Sequence, residues 1–320
     1  MRKRVFIGLF VLALLAAVGT AVALGLPHLK GLLEQAAEPP AAEAEQEKAV
    51  VQEKPAQPVT MAEAPVFTTT RESGLTVTAP DAFLSTQELA DVEACIAELR
   101  ADGVTVCVSL IDLKTRRGLT FNADEVMYPA SSIKACYCTW VYETHGGSGD
   151  MSGTVANCLI NSDNDAYHDL LHAFGLSEYA SWLTANGAPM AAKRGDRYYY
   201  PDTTASELAS LWEEIYRFGT SGKAGASELT GYLAQTNFSP IAEELRDTYE
   251  VWSKPGWYPL DENDIPATND AGIVFSDTGA YVIAIMTDMS SNLDGLKPLI
   301  VALDAAHAKM CGTDVAYYEK

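Results

Sequence analysis

The chain has 320 residues, with 22 Lys and Arg against 43 Asp and Glu, and its formal net charge is −21. This length suits one large or two small domains with a sizeable hydrophobic core. The acidity argues against nucleic-acid binding, which needs clustered Lys and Arg to neutralise phosphates. Six scattered Cys and five His show no structural zinc pattern, so no metal or other cofactor is expected.

The N-terminal sequence has the pattern of a membrane segment. Basic residues at 2–4 precede an uncharged run at 5–26, which is long enough to cross a hydrocarbon core of about 30 Å. By the positive-inside rule, residues 1–4 are cytoplasmic and everything after the run lies outside, at the cell membrane. An Ala-x-Ala sequence at 21–23 also permits signal cleavage. A single-pass anchor and a secreted form are therefore alternatives.

Residues 27–78 are predicted to be a disordered tether. This stretch is rich in Pro, Glu and Ala, and no helical or strand period persists along it, so it cannot bury enough apolar area to order itself. Proline and like charge should keep it extended as a spacer. The folded domain is therefore predicted to span 79–320, and a monomer is expected.

The first half of this domain is predicted to begin with a helix and two strands. Ser85 and Glu88 form a capping box before a helical repeat of apolar residues. Apolar residues alternate at 104–111, and a turn then leads into a second strand at 119–122. The middle of the chain, about 131–235, is mostly helical in pattern.

The last part of the chain returns to strands and ends in a helix. Apolar strands at 271–275 and 280–287 are joined by Ser-Asp-Thr-Gly, which indicates a hairpin. An amphipathic helix at 293–310 follows. This order predicts an α+β fold in which an antiparallel sheet is flanked by the terminal helices and carries an all-helical lobe.

Ser131 and Lys134 are the first candidate catalytic residues. Pro129 precedes them and a helical pattern follows, so Ser131 lies at a helix start, where N–H groups and the helix dipole stabilise an oxyanion. Lys134 lies one turn further on the same face and can take the serine proton if burial lowers its pKa. Taken alone, the pair also fits an N-cap serine with a solvated lysine.

Two further motifs contain candidate residues. Ser162-Asp163-Asn164 lies between two helical patterns and offers a hydroxyl and an amide, although it is also a good turn or cap sequence. Trp252-Ser253-Lys254-Pro255-Gly256-Trp257 is a short strand before the hairpin. Pro255 lacks an N–H, which predicts a sheet edge. Two residues on, the Trp257 N–H could pair with the Ser131 N–H as an oxyanion hole.

The three motifs in this order resemble the serine β-lactamase and penicillin-binding protein superfamily, and the class A β-lactamases in particular. The resemblance covers about 81–312. It implies that Ser131 is acylated, that Lys134 is its base and that Ser162 relays protons. It also implies that substrate is bound by Asn164, Lys254, Gly256 and Trp257. The helices of Cys138 and Cys158 are neighbours in the family, which suggests a disulfide.

The sequence departs from class A in ways that bear on turnover. Only 31 residues separate Ser131 from Ser162, so the helical lobe is trimmed, and Pro255 replaces a residue with a hydroxyl. The stretch 190–202, where the family carries a water-activating Glu, has only Asp196 and Asp202 as carboxylates. Without such a base, we expect the acyl-enzyme to hydrolyse slowly.

Other polar residues in this part of the chain receive structural interpretations. Asp196 lies among basic residues and is expected to form a surface ion pair. His168 and His172 have metal-like spacing, but no third ligand is evident. Tyr198–Tyr200 could line the cleft or pack in the loop.

The predicted function is that of a serine hydrolase which acylates Ser131 with a β-lactam. One alternative is a D,D-peptidase or penicillin-binding protein that acts on D-Ala-D-Ala-like cell-wall peptides, because it shares the first half-reaction. Another is a catalytically inactive, wall-associated binding module.

Overall fold

The computed structural model of the chain describes residues 61–263, 265–312 and 317–319. The strands are β1 (Met61–Glu63), β2 (Phe67–Thr70), β3 (Thr76–Ala79), β4 (Val106–Asp112), β5 (Gly118–Phe121), β6 (Glu250–Tyr258), β7 (Ala267–Ser276), β8 (Gly279–Thr287) and β9 (Tyr317–Glu319). The α-helices are α1 (Gln87–Ala101), α2 (Ile133–His145), α3 (Ser152–Ile160), α4 (Asn164–Phe174), α5 (Tyr179–Ala185), α6 (Pro189–Ala192), α7 (Ala205–Gly219), α8 (Ala226–Ala234), α9 (Pro240–Leu245) and α10 (Lys297–Cys311). Short 3₁₀ turns occur at Asp81–Ser85, Ala130–Ser132, Gly149–Met151 and Leu293–Leu296.

Seven strands form one antiparallel sheet in the order β2-β3-β5-β4-β8-β7-β6. β1 pairs with β9 in a separate two-stranded sheet. The predicted hairpin is confirmed as β7 and β8, which turn between Ser276 and Gly279. β6 is the edge strand, as Pro255 predicts, because a proline has no N–H to donate to a further strand.

Alternating side chains of the sheet supply two hydrophobic cores, one on each face. Val108 and Leu110 of β4 pack with α1 and α10, whereas Cys107 of the same strand belongs to the core formed with the helical lobe. Successive side chains of a strand point to opposite faces, and β8 alternates likewise. The α+β fold predicted from the sequence is therefore confirmed.

α2 lies at the centre of the second core. All ten residues from Ile133 to Tyr142 are buried, so this helix is covered on every side, as expected of a helix inside a larger domain. Its surroundings hold the turn before it, Ala130–Ser132, in a fixed place relative to β6 and β7.

The domain begins earlier than the predicted boundary at residue 79, so that boundary is wrong. β2 and β3 precede it and belong to the sheet, where Thr68 faces Thr78 and Thr70 faces Thr76 with hydroxyl oxygens 3.0 Å apart. Threonine is polar as well as β-branched. The composition of these short strands therefore matches that of a linker and hides the strand pattern.

The start of α1 also differs from the prediction by one residue. Thr86 rather than Ser85 is the N-cap, because its hydroxyl oxygen accepts a hydrogen bond from Leu89 N at 3.4 Å. Neighbouring hydroxyl residues give the same sequence signal, and the preceding 3₁₀ turn decides between them.

The predicted cytoplasmic residues 1–4, the membrane segment 5–26 and the tether before residue 61 lie outside the described residues. Within the part of the chain that the structure describes, no helix has the length and apolar character needed to span a bilayer.

Candidate active site

Ser131 lies in the 3₁₀ turn that leads into α2. Ala130 before it has a left-handed backbone with φ of 46°, which costs a residue with a Cβ roughly 1–2 kcal/mol. Ser132 fixes the turn, because its N–H and its hydroxyl donate to Pro129 O at 3.2 and 2.7 Å. Backbone strain that the surroundings maintain is typical of functional sites. Here it places the serine at a helix start.

The edge strand β6 passes directly beside this turn. A Cβ on Gly256 would lie between 2.5 and 2.8 Å from backbone atoms of residues 129–132, so only glycine permits the approach. In an antiparallel edge strand alternate residues face outward, so the N–H of Trp257 lies on the same free edge as Pro255. This arrangement is compatible with the predicted oxyanion hole of Ser131 and Trp257, which stays a prediction.

Lys134 is fully buried, and acceptors surround its Nζ. The amine donates to Ser162 O at 2.7 Å, to Asp163 O at 3.3 Å and to Asn164 Oδ1 at 2.7 Å. Burial lowers the pKa of Lys134, whereas the ring of Tyr167, centred 5.4 Å from Nζ, favours the charged form. Lys134 therefore fastens the loop before α4 to α2.

This bonding bears on the predicted role of Lys134 as a base. An amine that donates to three acceptors uses all three protons of its ammonium form and has no lone pair. Among the described residues no hydrogen bond joins Lys134 to the Ser131 hydroxyl. To act as the base, Lys134 must lose a proton and release one of its three contacts.

Ser162 and Asn164 lie on either side of Asp163, the N-cap of α4. Asp163 caps this helix by accepting a hydrogen bond from Ala166 N at 2.7 Å, and Ser162 has a left-handed φ of 58°. This turn aims backbone oxygens at α2 and places Asn164 in the cleft beside Ser131. The side chain of Ser162 does not line that cleft, so its predicted relay role stays a prediction.

Lys254 is the second buried lysine of the region. Its Nζ donates to Pro255 O at 3.1 Å, and the side chain is fully buried. Burial, and then the positive charge of Lys134, lowers the pKa of Lys254 to about 7. It does not line the cleft. To contact a substrate carboxylate, as the resemblance implies, Nζ must leave this buried position.

Asp270 of β7 lies opposite Pro255, next to the site. The sequence did not reveal that this carboxylic acid is buried. Its Oδ2 accepts hydrogen bonds from Ser239 Oγ at 2.6 Å and Ile241 N at 3.0 Å, whereas its buried Oδ1 has no hydrogen-bond partner among the described residues. Burial raises the pKa of Asp270 to about 7. Asp270 thus offers Lys254 a counter-charge behind the cleft.

A cleft of about 220 Å³ opens beside Ser131. Aromatic rings dominate its wall, and the Tyr128 ring centroid lies 6.3 Å from that of Tyr200 and 5.9 Å from that of Tyr258, in edge-to-face contacts. The interpretation of Tyr198–Tyr200 as a cleft wall is confirmed for Tyr200. The lining residues are Tyr128, Ala130, Ser131, Asn164, His168, Tyr200, Trp257 and Tyr258.

No Asp or Glu belongs to the described residues that line this cleft. Asp196 forms the expected surface ion pair with Arg197 at 2.8 Å, and 49 % of its side chain is exposed. Asp202 lies 3.6 Å from Arg194 and is 41 % exposed. Neither carboxylate lines the cleft.

His168 was not predicted to belong to the site, yet it lines the cleft. It lies one turn after Asn164 on α4, so both side chains project from one helix face. Its ring centroid is 5.4 Å from that of Tyr199, and among the described residues its ring nitrogens have no hydrogen-bond partner. The spacing from Asn164 to His168 was the available signal. His172, one turn further, is exposed.

Within the described residues, one cluster has the composition of a metal site. Ligand atoms of Asp112, His307 and Cys311 lie within 4.8 Å of one another. His307 Nε2 is 3.0 Å from Asp112 Oδ2, and Thr115 donates to Oδ1 from its N–H at 2.6 Å and its hydroxyl at 2.7 Å. Burial opposes ionisation of Asp112, but these hydrogen bonds outweigh it and hold its pKa at about 2. Hydrogen bonds thus already occupy both carboxylate oxygens.

Two other features lie apart from the chemistry of Ser131. A larger cavity of about 530 Å³ is lined by residues of 95–104 and 289–299 and contains none of the candidate site residues. Cys138 and Cys158 are buried neighbours that hydrogen-bond as free thiols, so the suggested disulfide is not formed.

Comparison with known families gives a match for half of the chain. The model of the Beta-lactamase enzyme family matches residues 145–306, a range that contains Ser162, Asn164 and Lys254 and begins after Ser131. No protein with a curated description matches the sequence.

Solved structures show the same fold at low sequence identity. The extended-spectrum beta-lactamase TLA-3 superposes with a TM-score of 0.58 at 16 % identity, covering 70 % of this chain and 99 % of its own. A beta-lactamase from Chitinophaga pinensis gives 0.55 at 17 %, covering 69 % and 100 %. A class A beta-lactamase from Clostridium kluyveri gives 0.54 at 17 %, covering 67 % and 97 %.

Proposed function

The chain belongs to the beta-lactamase enzyme family, and from that premise we propose that it is a serine hydrolase whose Ser131 is acylated by a β-lactam. One observation carries the proposal. The strained turn at Ala130 and the close approach of Gly256 bring the Ser131 hydroxyl, a helix start and a free strand edge together. A nucleophile beside N–H donors is the arrangement that acyl transfer requires.

In the proposed reaction, Ser131 Oγ attacks the lactam carbonyl carbon. The carbonyl oxygen becomes an oxyanion beside the N–H groups of Ser131 and Trp257, and the ring C–N bond then breaks. The serine proton passes to the ring nitrogen, through Lys134 and Ser162 if the predicted relay operates. The amide of Asn164 holds the substrate in the cleft.

Buried positive charge supports this chemistry. Both lysines are fully buried, and burial lowers the pKa of each. In a region of low dielectric, the positive charge that each lysine carries when protonated stabilises the negative charge that develops on substrate. Asp270, whose own pKa is raised to about 7, offsets this charge only in its ionised form.

A D,D-peptidase is the second candidate function, and one observation favours it. No carboxylate lines the described cleft, and an acyl-enzyme that lacks an activated water persists. Persistence is the behaviour of a penicillin-binding protein, in which the natural acyl donor is a D-Ala-D-Ala-type peptide and the β-lactam is an inhibitor.

The test measures both reactions on the full chain. Hydrolysis of a chromogenic cephalosporin and release of D-Ala from a D-Ala-D-Ala peptide are followed for the native protein, Ser131→Ala and the control Ser227→Ala, which changes an exposed serine on α8. We expect cephalosporin turnover in the native protein and the control and none in Ser131→Ala. D-Ala release that the cephalosporin blocks would select the peptidase instead, and no reaction in either assay would favour an inactive binding module.

We further propose that residues 5–26 anchor the protein as a monomer with the domain outside the cytoplasm. The basic residues at 2–4 and the uncharged run support this topology. Protease added to intact spheroplasts should digest the domain. Protection from protease would place the domain inside and contradict the topology.

A further inference from the structure

Hydrolysis of an acylated Ser131 needs a group in the cleft that accepts a proton from water. Resting on the function proposed above, we propose that His168 is this base. It lines the cleft, its ring nitrogens have no hydrogen-bond partner among the described residues, and it shares one face of α4 with Asn164, the residue expected to hold the substrate amide. None of the described residues that line the cleft is an Asp or Glu.

Lys134 and the tyrosines of the cleft cannot accept this proton as they stand. All three protons of Lys134 Nζ are engaged in hydrogen bonds. Burial raises the pKa of Tyr200 to about 12, and it raises that of Tyr128 as well. These phenols therefore keep their protons at neutral pH. A hydrogen bond to Asp261 raises the pKa of Tyr258.

The position of His168 suits the role. A neutral imidazole has one nitrogen that can accept a proton. The ring of His168 is half-buried and packs against Tyr199, without a hydrogen bond among the described residues. A single water between His168 and the acyl carbonyl needs about 30 Å³, a small part of the 220 Å³ cleft.

Several titratable groups surround the imidazole. The loop packed on α4 contributes Tyr199 and Tyr200, and Tyr128 and Tyr258 line the cleft. On its own helix, the nearest charged or titratable residues along the sequence are Asp165, Asp169 and His172. The two aspartates and His172 are exposed, so solvent screens their effect on His168.

The step balances without any co-reactant beyond water. The water oxygen forms a bond to the acyl carbonyl carbon while one water proton moves to the free nitrogen of His168. The tetrahedral intermediate then collapses and the bond between carbon and Ser131 Oγ breaks. The imidazolium returns its proton to Oγ, which leaves a free serine, a neutral imidazole and the carboxylic acid product.

The experiment separates formation of the acyl-enzyme from its hydrolysis. Full-length native protein, His168→Gln and the control His172→Gln are each mixed with benzylpenicillin, and intact mass is followed after excess drug is removed. His172→Gln makes the same chemical change one turn away, on an exposed position outside the cleft. In addition, His168→Ala is assayed with and without imidazole in solution.

We expect all three proteins to form the adduct at similar rates. The adduct should clear from the native protein and from His172→Gln but persist at least about 100-fold longer in His168→Gln. Added imidazole should restore clearance to His168→Ala. This rescue distinguishes a proton acceptor from a residue that only shapes the cleft.

Four results would overturn the inference, and they can be distinguished. Clearance from His168→Gln at the native rate, or a native adduct that never clears, would remove His168 as the base and leave acylation of Ser131 intact. Slow adduct formation in His168→Gln would show that the residue acts in formation of the acyl-enzyme rather than in its hydrolysis. If the native protein shows neither an adduct nor hydrolysis of benzylpenicillin, the proposed function itself is contradicted, and this inference with it.

Discussion

Two groups of polar side chains in the described domain differ in whether their polar atoms have hydrogen-bond partners. Between β4 and α10, Asp112 receives hydrogen bonds from Thr115 on one oxygen and contacts His307 with the other. In the cleft, the Ser131 hydroxyl and the His168 imidazole have no partner among the described residues. Both groups belong to the same sheet-and-helix framework.

The difference shows which polar residues stabilise the fold and which are available for chemistry. A buried polar group costs free energy unless it is hydrogen-bonded, so the Asp112 cluster has the pattern of a structural contact. Groups left open at a cleft keep their capacity to bind and react with substrate. Lys134 combines both patterns, since it is saturated with hydrogen bonds but lies one turn from the nucleophile.

Lys134→Met is the sharpest test of that double role. The change removes three hydrogen bonds and a buried charge while keeping a similar volume. Because the change leaves three acceptors without their donor, we expect the thermal midpoint to fall, and acylation is measured well below that midpoint. We expect acylation by benzylpenicillin to fall at least about 1000-fold. An unchanged acylation rate would show that Lys134 only stabilises the fold.

Gly256→Ala tests the close approach between β6 and the nucleophile turn. The new Cβ would meet backbone atoms of residues 129–132 at 2.8 Å or less, so the strand must shift. A misplacement of about 1 Å can cost roughly 100-fold in rate, and we expect acylation to fall about 10- to 100-fold. Gly231→Ala, where a Cβ meets nothing within 4 Å, is the control and should acylate normally.

Asp112→Asn tests the saturated cluster. The pKa of Asp112 is lowered from 3.8 to about 2, so its contribution is fully present above pH 4 and is lost as the pH falls toward 2. We expect urea unfolding at pH 7 to show a loss of about 2 kcal/mol in unfolding free energy, a smaller loss near pH 3 and normal acylation. Asp169→Asn, an exposed change, is the control. Loss of acylation without loss of stability would instead show that Asp112 takes part in the reaction.

Tyr200→Phe should have the smallest effect. It removes one hydrogen bond, from the Tyr200 hydroxyl to Asn164 Oδ1 at 3.3 Å, but keeps the aromatic wall. A neutral hydrogen bond contributes about 0.5–1.5 kcal/mol. The KM for a cephalosporin should therefore rise only a few-fold. A loss as large as that of Lys134→Met would give the hydroxyl a chemical role that the wall does not explain.

The sequence was sufficient for the fold where patterns were long and periodic. The hairpin of β7 and β8, the edge position of Pro255 and the terminal helices all follow from local signals. The start of the domain did not, because β2 and β3 are short threonine strands that become recognisable only when the sheet pairs them. Strand pairing is a tertiary property, and no local composition reveals it.

The candidate site was partly predictable for the same reason. Ser131, Lys134 and Asn164 were found from their motifs, and the structure brings them together. His168 and Tyr258 line the cleft because of the direction of α4 and the length of β6, which the motifs do not reveal. The burial of Lys254 depends on what packs over it, which spacing along the chain does not reveal.

The most direct test of the account is an intact-mass measurement on the full chain treated with excess benzylpenicillin, followed by peptide mapping. The account predicts one added penicillin mass, located on Ser131, and no adduct on Ser131→Ala. Absence of both an adduct and drug hydrolysis in the native protein, or an adduct on a residue other than Ser131, would contradict it.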